Sequence, residues 1–81
     1  MNKNFGTILK KLRKERSLYQ KDLAEELKTS REMINHLENG RQEPNLDMLE
    51  KIADYFLVTT DYLLGRESRQ PTDKSNKLTD K

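Results

Sequence analysis

Residues 20–40 read QKDLAEELKTSREMINHLENG. Apolar residues recur at helical spacing in both halves of this stretch: Leu23, Ala24 and Leu27 in the first, Ile34 and Leu37 in the second. Ser30 is a good N-cap, because its hydroxyl can accept from the exposed amides of the next turn. Gly40 can end a helix, because glycine adopts the left-handed conformation at little cost. The stretch therefore predicts two short helices, over residues 20–27 and 31–38, separated by a turn of three to four residues.

Three further helices are predicted around this pair. An apolar stripe at positions i, i+3, i+4 and i+7 predicts the first of them over about residues 5–16: Phe5, Ile8, Leu9 and Leu12. Asn45 is an N-cap candidate for the fourth helix, which carries Leu46, Leu49, Ile52, Ala53 and Phe56. Thr59 is a cap candidate for a short fifth helix that ends at Leu64, before Gly65. We expect an all-α fold, a compact five-helix bundle.

The length of 81 residues allows one domain with a modest core, and no deep active-site cleft. Residues 66–81 hold one leucine, and the rest are polar or charged apart from Pro71. Such a segment cannot bury enough apolar surface to offset the entropy of ordering it. We therefore expect one domain over residues 1–65 and a disordered tail over residues 66–81.

The composition excludes several classes of protein. The absence of cysteine excludes a disulfide framework and a Cys-based zinc site, and the apolar runs are too short for a membrane span or signal peptide. We expect a cytoplasmic protein with no membrane partner, no cofactor and no bound metal. Residues 1–44 hold ten basic and seven acidic side chains, whereas residues 45–65 hold one and four. This asymmetry suits a polyanion-binding face, or equally an ordinary solvated surface.

The predicted helix pair is a helix-turn-helix, an arrangement whose second helix can enter the major groove of DNA. Four polar residues of that helix lie away from its apolar pair and can hydrogen-bond to base edges: Arg31, Glu32, Asn35 and His36. Arg31 suits the O6 and N7 acceptors of guanine. Glu32 either accepts from cytosine N4 or pairs with a neighbouring arginine. A solvated surface residue is the alternative at each position, and it is the first interpretation of the basic residues that cover helix 1.

Four segments together resemble a known family: LRKERSLYQKDLAEEL, SREMINHLENG, EPNLDMLEKIADYF and DYLLG. Over about residues 5–65 the chain is similar to the helix-turn-helix domain of the lambdoid phage repressors, the Cro proteins and their bacterial relatives. The resemblance implies a lambda repressor-like DNA-binding domain and a transcriptional regulator of a bacterium or phage.

The resemblance also implies roles for individual residues. Arg31, Glu32 and His36 match the main base-reading positions. Contacts to the DNA backbone are implied for five residues: Gln20, Thr29, Ser30, Arg41 and Arg13. Arg13 and Glu38 match an ion pair that joins the first helix to the third and orients the recognition helix.

Two positions depart from the pattern of that family. Tyr19 stands where a serine or threonine commonly caps the second helix, so the entry to this helix is looser, or the phenol reaches a phosphate itself. Lys28 stands where glycine is common in the turn. A left-handed lysine costs on the order of 1 kcal/mol relative to glycine, and the alternative is a different turn geometry that shifts the recognition helix.

We expect a repressor that binds a near-palindromic operator as a dimer, with the recognition helices roughly 34–36 Å apart. Tyr62, Leu63 and Leu64 are predicted to divide between the core and a dimer interface. A protein-interaction module, such as an antitoxin with its partner on helices 4–5 or the tail, is the alternative. An enzyme is not expected, because one histidine and scattered carboxylates form no nucleophile–base pair.

Overall fold

A computed structural model of the chain describes residues 3–66, with side chains from Phe5 onward. Five helices follow one another: α1 (Lys3–Glu15), α2 (Gln20–Leu27), α3 (Arg31–Glu38), α4 (Leu46–Phe56) and α5 (Thr60–Leu63). Residues 3–66 contain no strand, so the all-α, five-helix prediction is confirmed. α1 begins two residues earlier than predicted and ends one residue earlier, and α5 ends one residue earlier. The predicted tail, apart from Arg66, lies outside the described residues.

Three predicted N-caps are confirmed. The side-chain oxygens of Ser30, Asn45 and Thr59 each accept from the backbone N–H three residues later, at 3.1, 2.8 and 3.0 Å. Each bond satisfies one of the amides that a helix start leaves without an intrahelical partner. These caps fix where α3, α4 and α5 begin.

α2 begins without a cap from the side chain of Tyr19. Instead, the carboxylate of Asp22 accepts from the backbone N–H of Tyr19 at 3.0 Å, which is half of a capping box. Asp22 also places a negative charge in the first turn, where the helix dipole favours it. The start of α2 is therefore held from inside the helix, and the Tyr19 phenol is 72% exposed.

Two helices end in a non-glycine residue with left-handed backbone. Lys28 ends α2 with φ 59°, and Leu57 ends α4 with φ 58°. Of the two alternatives for the turn, Lys28 thus takes the left-handed conformation rather than a different turn geometry. The backbone N–H of Thr29 then donates to the carbonyl oxygen of Ala24, 2.9 Å away.

The core lies between all five helices. α3 packs against both α1 and α2, and α5 packs against α1 and α4. The buried apolar residues are Phe5, Leu9, Leu12, Leu23, Ala24, Leu27, Ile34, Leu37, Leu49, Ile52, Ala53, Phe56, Tyr62 and Leu63. Leu46, which the spacing placed on the apolar stripe of the fourth helix, is instead 69% exposed, because it lies at the helix start beyond the edge of the core.

α1 crosses the end of α3 in close contact at Gly6. A Cβ atom at Gly6 would lie 2.5 Å from the carbonyl oxygen of Glu38 and 2.7 Å from that of Leu37. Both are backbone atoms, which cannot rotate aside as a side chain can. The lack of a side chain at Gly6 therefore sets how closely α1 and α3 approach.

Candidate nucleic-acid interface

α3 presents one side to solvent and the other to the core. Ile34, Leu37 and Glu38 are buried, whereas Arg31 and Glu32 are exposed. Asn35 and His36 are half-buried. The four predicted base-reading residues are therefore all accessible on the side of α3 that faces away from the core.

Glu32 lies in the first turn of α3 and is exposed. The ion pairs within residues 3–66 join Arg13 to Glu38 and Lys51 to Asp47, and neither includes Glu32. Pairing with a neighbouring arginine, the second interpretation of Glu32, thus finds no support in the described part of the chain. Its carboxylate oxygens can accept hydrogen bonds from outside the molecule.

Arg13 and Glu38 form the ion pair that the family resemblance implies. Arg13 Nε lies 2.6 Å from Glu38 Oε2, and Arg13 Nη2 donates to Glu38 Oε1 at 3.1 Å. The two side chains are only 9% and 2% exposed. Paired bonds of this kind fix the relative orientation of the two groups, so α3 is held to α1 at a defined angle.

The pair extends into a network that includes α2. Arg13 Nη1 donates to the carbonyl oxygen of Leu18 at 2.7 Å, and Gln20 Nε2 donates to Glu38 Oε1 at 3.2 Å. All three nitrogens of the Arg13 guanidinium thus have partners inside the molecule. The resemblance suggested that Arg13 contacts a DNA phosphate, and this contact remains a prediction. In the structure, the guanidinium belongs to a network that joins α1, α2 and α3.

A shallow groove lies between the starts of α2 and α3. Its lining residues are Arg13, Tyr19, Gln20, Lys21 and Arg31. Four of these five side chains carry nitrogen donors, and the partial positive charge of the α2 N-terminus adds to them. The sequence analysis does not single out Lys21, although its position directly after Gln20 could have indicated that it lines the groove. The groove has the chemistry that a phosphate group requires.

The remaining predicted backbone contacts lie around α3. Thr29 is half-buried in the turn before the helix, and Ser30 and Arg41 are exposed at its two ends. The Ser30 hydroxyl oxygen accepts from Met33, which leaves its O–H free to donate outward. Cationic or donor groups therefore flank both ends of the base-reading face.

The three residues predicted to divide between the core and a dimer interface differ in burial, and the interface itself stays a prediction. Tyr62 and Leu63 are 5% and 0% exposed and belong to the core. Leu64 is half-buried. Leu57, which the sequence analysis does not single out, is 69% exposed at the end of α4.

Two basic residues of the predicted first helix, Lys11 in α1 and Arg16 directly after it, have partners inside the molecule, although both are exposed as the first interpretation of this face expects. Arg16 donates to the carbonyl oxygens of Tyr55 and Phe56 at 3.2 and 3.3 Å and lies over both rings. Lys11 Nζ donates to Tyr62 Oη at 3.1 Å, and this bond raises the pKa of Lys11 above its ordinary value. Lys11 thus ties α1 to α5, and Arg16 ties the residue that follows α1 to α4; no local sequence pattern predicts these contacts.

Neither a metal centre nor a membrane span is found in the described part of the chain. No group of three or more His, Cys, Asp or Glu residues within residues 5–66 is placed to hold a metal ion. None of the five helices has the length and apolar character that crossing a bilayer requires.

Comparison with known proteins gives the family. A family model described as helix-turn-helix matches residues 9–63. The chain is 41% identical over 63 residues to the HTH-type transcriptional activator BcrR of Enterococcus faecalis, covering 78% of this chain and 31% of that protein. It is 32% identical over 77 residues to the HTH-type transcriptional regulator ImmR of Bacillus subtilis, covering 91% and 61%.

A phage protein is also similar. The chain is 35% identical over 63 residues to the immunity repressor protein of Bacillus phage phi105, covering 78% of this chain and 44% of that protein. The matched segments thus span between about a third and three fifths of the length of these relatives. Because the family match includes α2, the turn and α3, the chain belongs to the helix-turn-helix family, as its resemblance to the Cro proteins and phage repressors predicts.

Proposed function

We propose that this chain is a sequence-specific DNA-binding transcriptional regulator of the cytoplasm, with α3 in the major groove. One observation carries the proposal: the outer side of α3 is polar and accessible, while its inner side is fixed by a buried ion pair. The major groove is wide enough for one helix, and side chains at the start of that helix reach base edges.

Base reading is assigned to the accessible face of α3. Arg31 donates to guanine O6 and N7, and Glu32 accepts from cytosine N4. Asn35 and His36 lie further along the same face. Phosphate contacts fall to Gln20, Thr29, Ser30 and Arg41, and the donor-lined groove supports the contact at Gln20.

A homodimer on a near-palindromic operator is the second part of the proposal. Two-fold symmetry would place two copies of α3 roughly 34–36 Å apart, one turn of the duplex. The apolar surface left by Leu57 and Leu64 supports an interface at the α4–α5 end. Repression follows where the operator overlaps a promoter. One relative is named a repressor and another an activator, so the position of the site decides the outcome.

The test is selection of binding sites from a randomised duplex pool at near-physiological salt. We expect a two-fold symmetric site, with half-sites about 10 base pairs apart. Arg31→Ala should relax the preference at one guanine in each half-site, by about fivefold or more. Arg66→Ala, an exposed arginine beyond α5, is the matched control and should leave every preference unchanged. A folded protein that enriches no site contradicts the proposal.

A protein partner on α4–α5 is the second candidate function. It is supported by Leu57 at the end of α4 and by the exposed carboxylates of Asp47, Glu50, Asp54 and Asp61. A toxin-like reading frame beside the gene would favour it. If the chain binds DNA only after a protein partner is added, this second candidate becomes the preferred function.

A further inference from the structure

Asn39 and Gly40 follow one another at the end of α3, and both are exposed. No other asparagine of the chain precedes a glycine. The pair is chemically labile, because the backbone nitrogen of a residue can attack the side-chain amide of a preceding asparagine. A side chain on the attacking residue crowds this approach, and glycine has none. Asn39 is therefore the asparagine of this chain that is most open to attack by its own backbone.

The structure leaves room for the movement that the attack requires. The ψ angle of Asn39 is 2°, which places the Gly40 nitrogen beside the Asn39 nitrogen and away from the Asn39 Cβ. This bond must therefore rotate before the Gly40 nitrogen reaches Cγ. A Cβ atom at Gly40 would meet no described atom beyond its chain neighbours within 4 Å, and a cleft of about 250 Å³ adjoins the pair. The peptide thus has space to rotate, and water has access to both residues.

Few bonds oppose this rotation. The N–H of Gly40 donates to the carbonyl oxygen of Leu37 at 3.4 Å, a long hydrogen bond. The side-chain amides of Asn39 and Asn35 share one bond of 3.0 Å, which is exposed to solvent. Helix ends open locally at a small cost in free energy. Opening the last turn of α3 is therefore enough to reach the reactive arrangement, and the domain need not unfold.

The two other asparagines with described side chains are less open to this reaction. Asn35 lies inside α3 and precedes His36. Asn45 precedes Leu46, and its Oδ1 accepts from the N–H of Met48 at 2.8 Å. The side chain of the following residue hinders ring closure in both cases. These two asparagines are therefore internal references for the reaction.

We propose that Asn39 is a deamidation site whose conversion weakens DNA binding by the recognition helix. The Gly40 nitrogen attacks Cγ, the bond from Cγ to Nδ2 breaks, and ammonia leaves with the proton of the Gly40 N–H. The succinimide ring that results then adds one water molecule. Opening of the ring at Cγ gives aspartate. Opening at the main-chain carbonyl carbon gives isoaspartate, in which the chain runs through Cβ. Nothing is oxidised or reduced.

Either product alters the surface that we propose lies against DNA, so the effect on binding rests on the proposed function. A carboxylate at the end of α3 opposes the helix dipole and repels phosphates. Isoaspartate also adds a carbon to the main chain shortly before Arg41, whose N–H donates to the carbonyl oxygen of His36 at 2.9 Å. Arg41 is then displaced from its phosphate. We expect operator affinity to fall by about tenfold or more, the range of one hydrogen bond to a charged group.

The test follows the folded full chain at mildly alkaline pH in water enriched in heavy oxygen. We expect Asn39 to gain a solvent oxygen, as aspartate and isoaspartate separated by peptide mapping, while Asn35 and Asn45 keep their amides. The reaction should be slower at mildly acidic pH, because the attacking nitrogen must lose its proton. The chain in urea, where the fold gives no protection, is the positive control. If Asn39 in the folded chain converts no faster than Asn35 and Asn45, the inference is overturned.

Two variants separate the reaction from its effect on DNA binding. Gly40→Asn places a side chain on the attacking residue, at a left-handed position that asparagine tolerates, and should slow the conversion of Asn39. Equal rates in this variant and the wild type would contradict attack by the Gly40 nitrogen. Asn39→Gln keeps an amide but enlarges the ring that must close, so its operator affinity should survive the same incubation.

Operator titration of the aged wild type completes the experiment. Its affinity should fall in step with the conversion of Asn39. If the converted protein binds the operator as tightly as fresh protein, the effect on DNA binding is overturned. If fresh protein selects no operator at all, the proposed function itself fails, and the oxygen uptake at Asn39 still decides whether the residue is a deamidation site.

Discussion

Gly6 shows how one residue sets the distance between two helices. The position that a Cβ atom would take at Gly6 is next to the carbonyl oxygens of Leu37 and Glu38, the last residues of the recognition helix. Alanine would favour the helical state of α1 by roughly 1 kcal/mol over glycine. It would also force apart two backbones in contact, and overpacking of this kind costs about 1–3 kcal/mol. We expect the steric cost to exceed the gain.

Gly6→Ala should therefore lower the free energy of unfolding by up to about 2 kcal/mol, as measured by urea denaturation. Lys10→Ala, an exposed position on the same helix, is the control and should change stability by less than about 0.5 kcal/mol. A Gly6→Ala protein as stable as the wild type would mean that α1 moves away from α3 freely. The close contact would then have no part in positioning the recognition helix.

The sequence does not reveal the role of Gly6, because the atoms it approaches lie more than thirty residues away in the chain. Structural features that depend only on residues nearby in the chain, such as helix caps, were predicted well. Ser30 and Asn45 cap their helices as expected, since a cap depends only on the next three residues. The left-handed end of α4 at Leu57 was missed, because leucine gives no local signal for that conformation.

At the scale of the helix, α3 depends on its neighbours for its orientation. It has eight residues, and isolated helices of that length are not stable in water. Its ends are held by the Ser30 cap and by the buried pair of Arg13 with Glu38. The family resemblance predicted this pair, but the bonds from Gln20 and to Leu18 that complete the network come only from the folded structure.

Breaking that pair should destabilise the protein strongly. Glu38→Ala leaves the Arg13 guanidinium buried without its carboxylate, and removing one partner of a buried pair typically costs about 3–5 kcal/mol. Replacing both residues together, as Arg13→Met with Glu38→Leu, should recover most of the stability. Operator affinity should stay below that of the wild type, since apolar side chains do not fix the angle of α3.

Urea denaturation and operator titration of the single and double variants test this prediction. The exposed pair of Asp47 and Lys51 is the matched control, because its charges are 3.9 Å apart with side chains 80% and 44% exposed. Asp47→Ala should cost less than about 1 kcal/mol. Equal losses at the two pairs would show that burial adds nothing to the Arg13–Glu38 interaction.

Among the described residues, two surfaces of the molecule differ in charge. The groove between α2 and α3 and the loop after α3 carry Lys21, Arg31 and Arg41, whereas the accessible side of α4 carries Asp47, Glu50 and Asp54. The cationic part is suited to phosphates, and the acidic part is repelled by them. This distribution leaves the α4–α5 end, with its exposed leucine, available for a second chain.

Leu57→Asn separates the assembly of the dimer from the stability of the domain. Leu57 is 69% exposed and has left-handed backbone, a conformation that asparagine tolerates better than leucine. The substitution should therefore leave the unfolding midpoint of the monomer unchanged or raise it, while it removes apolar area from the proposed interface. Sedimentation equilibrium should show weaker dimerisation, and binding to a palindromic operator should need a higher protein concentration.

The matched control is Lys28→Asn. Lys28 also has left-handed backbone, so this variant likewise places asparagine at a left-handed residue, at the end of α2 and far along the chain from α5. It should leave the sedimentation behaviour as in the wild type. If Leu57→Asn dimerises as tightly as the wild type, the interface lies elsewhere. If neither the wild type nor Leu57→Asn dimerises without DNA but both bind the palindrome with equal cooperativity, the operator itself brings the two copies together and Leu57 is not part of the interface.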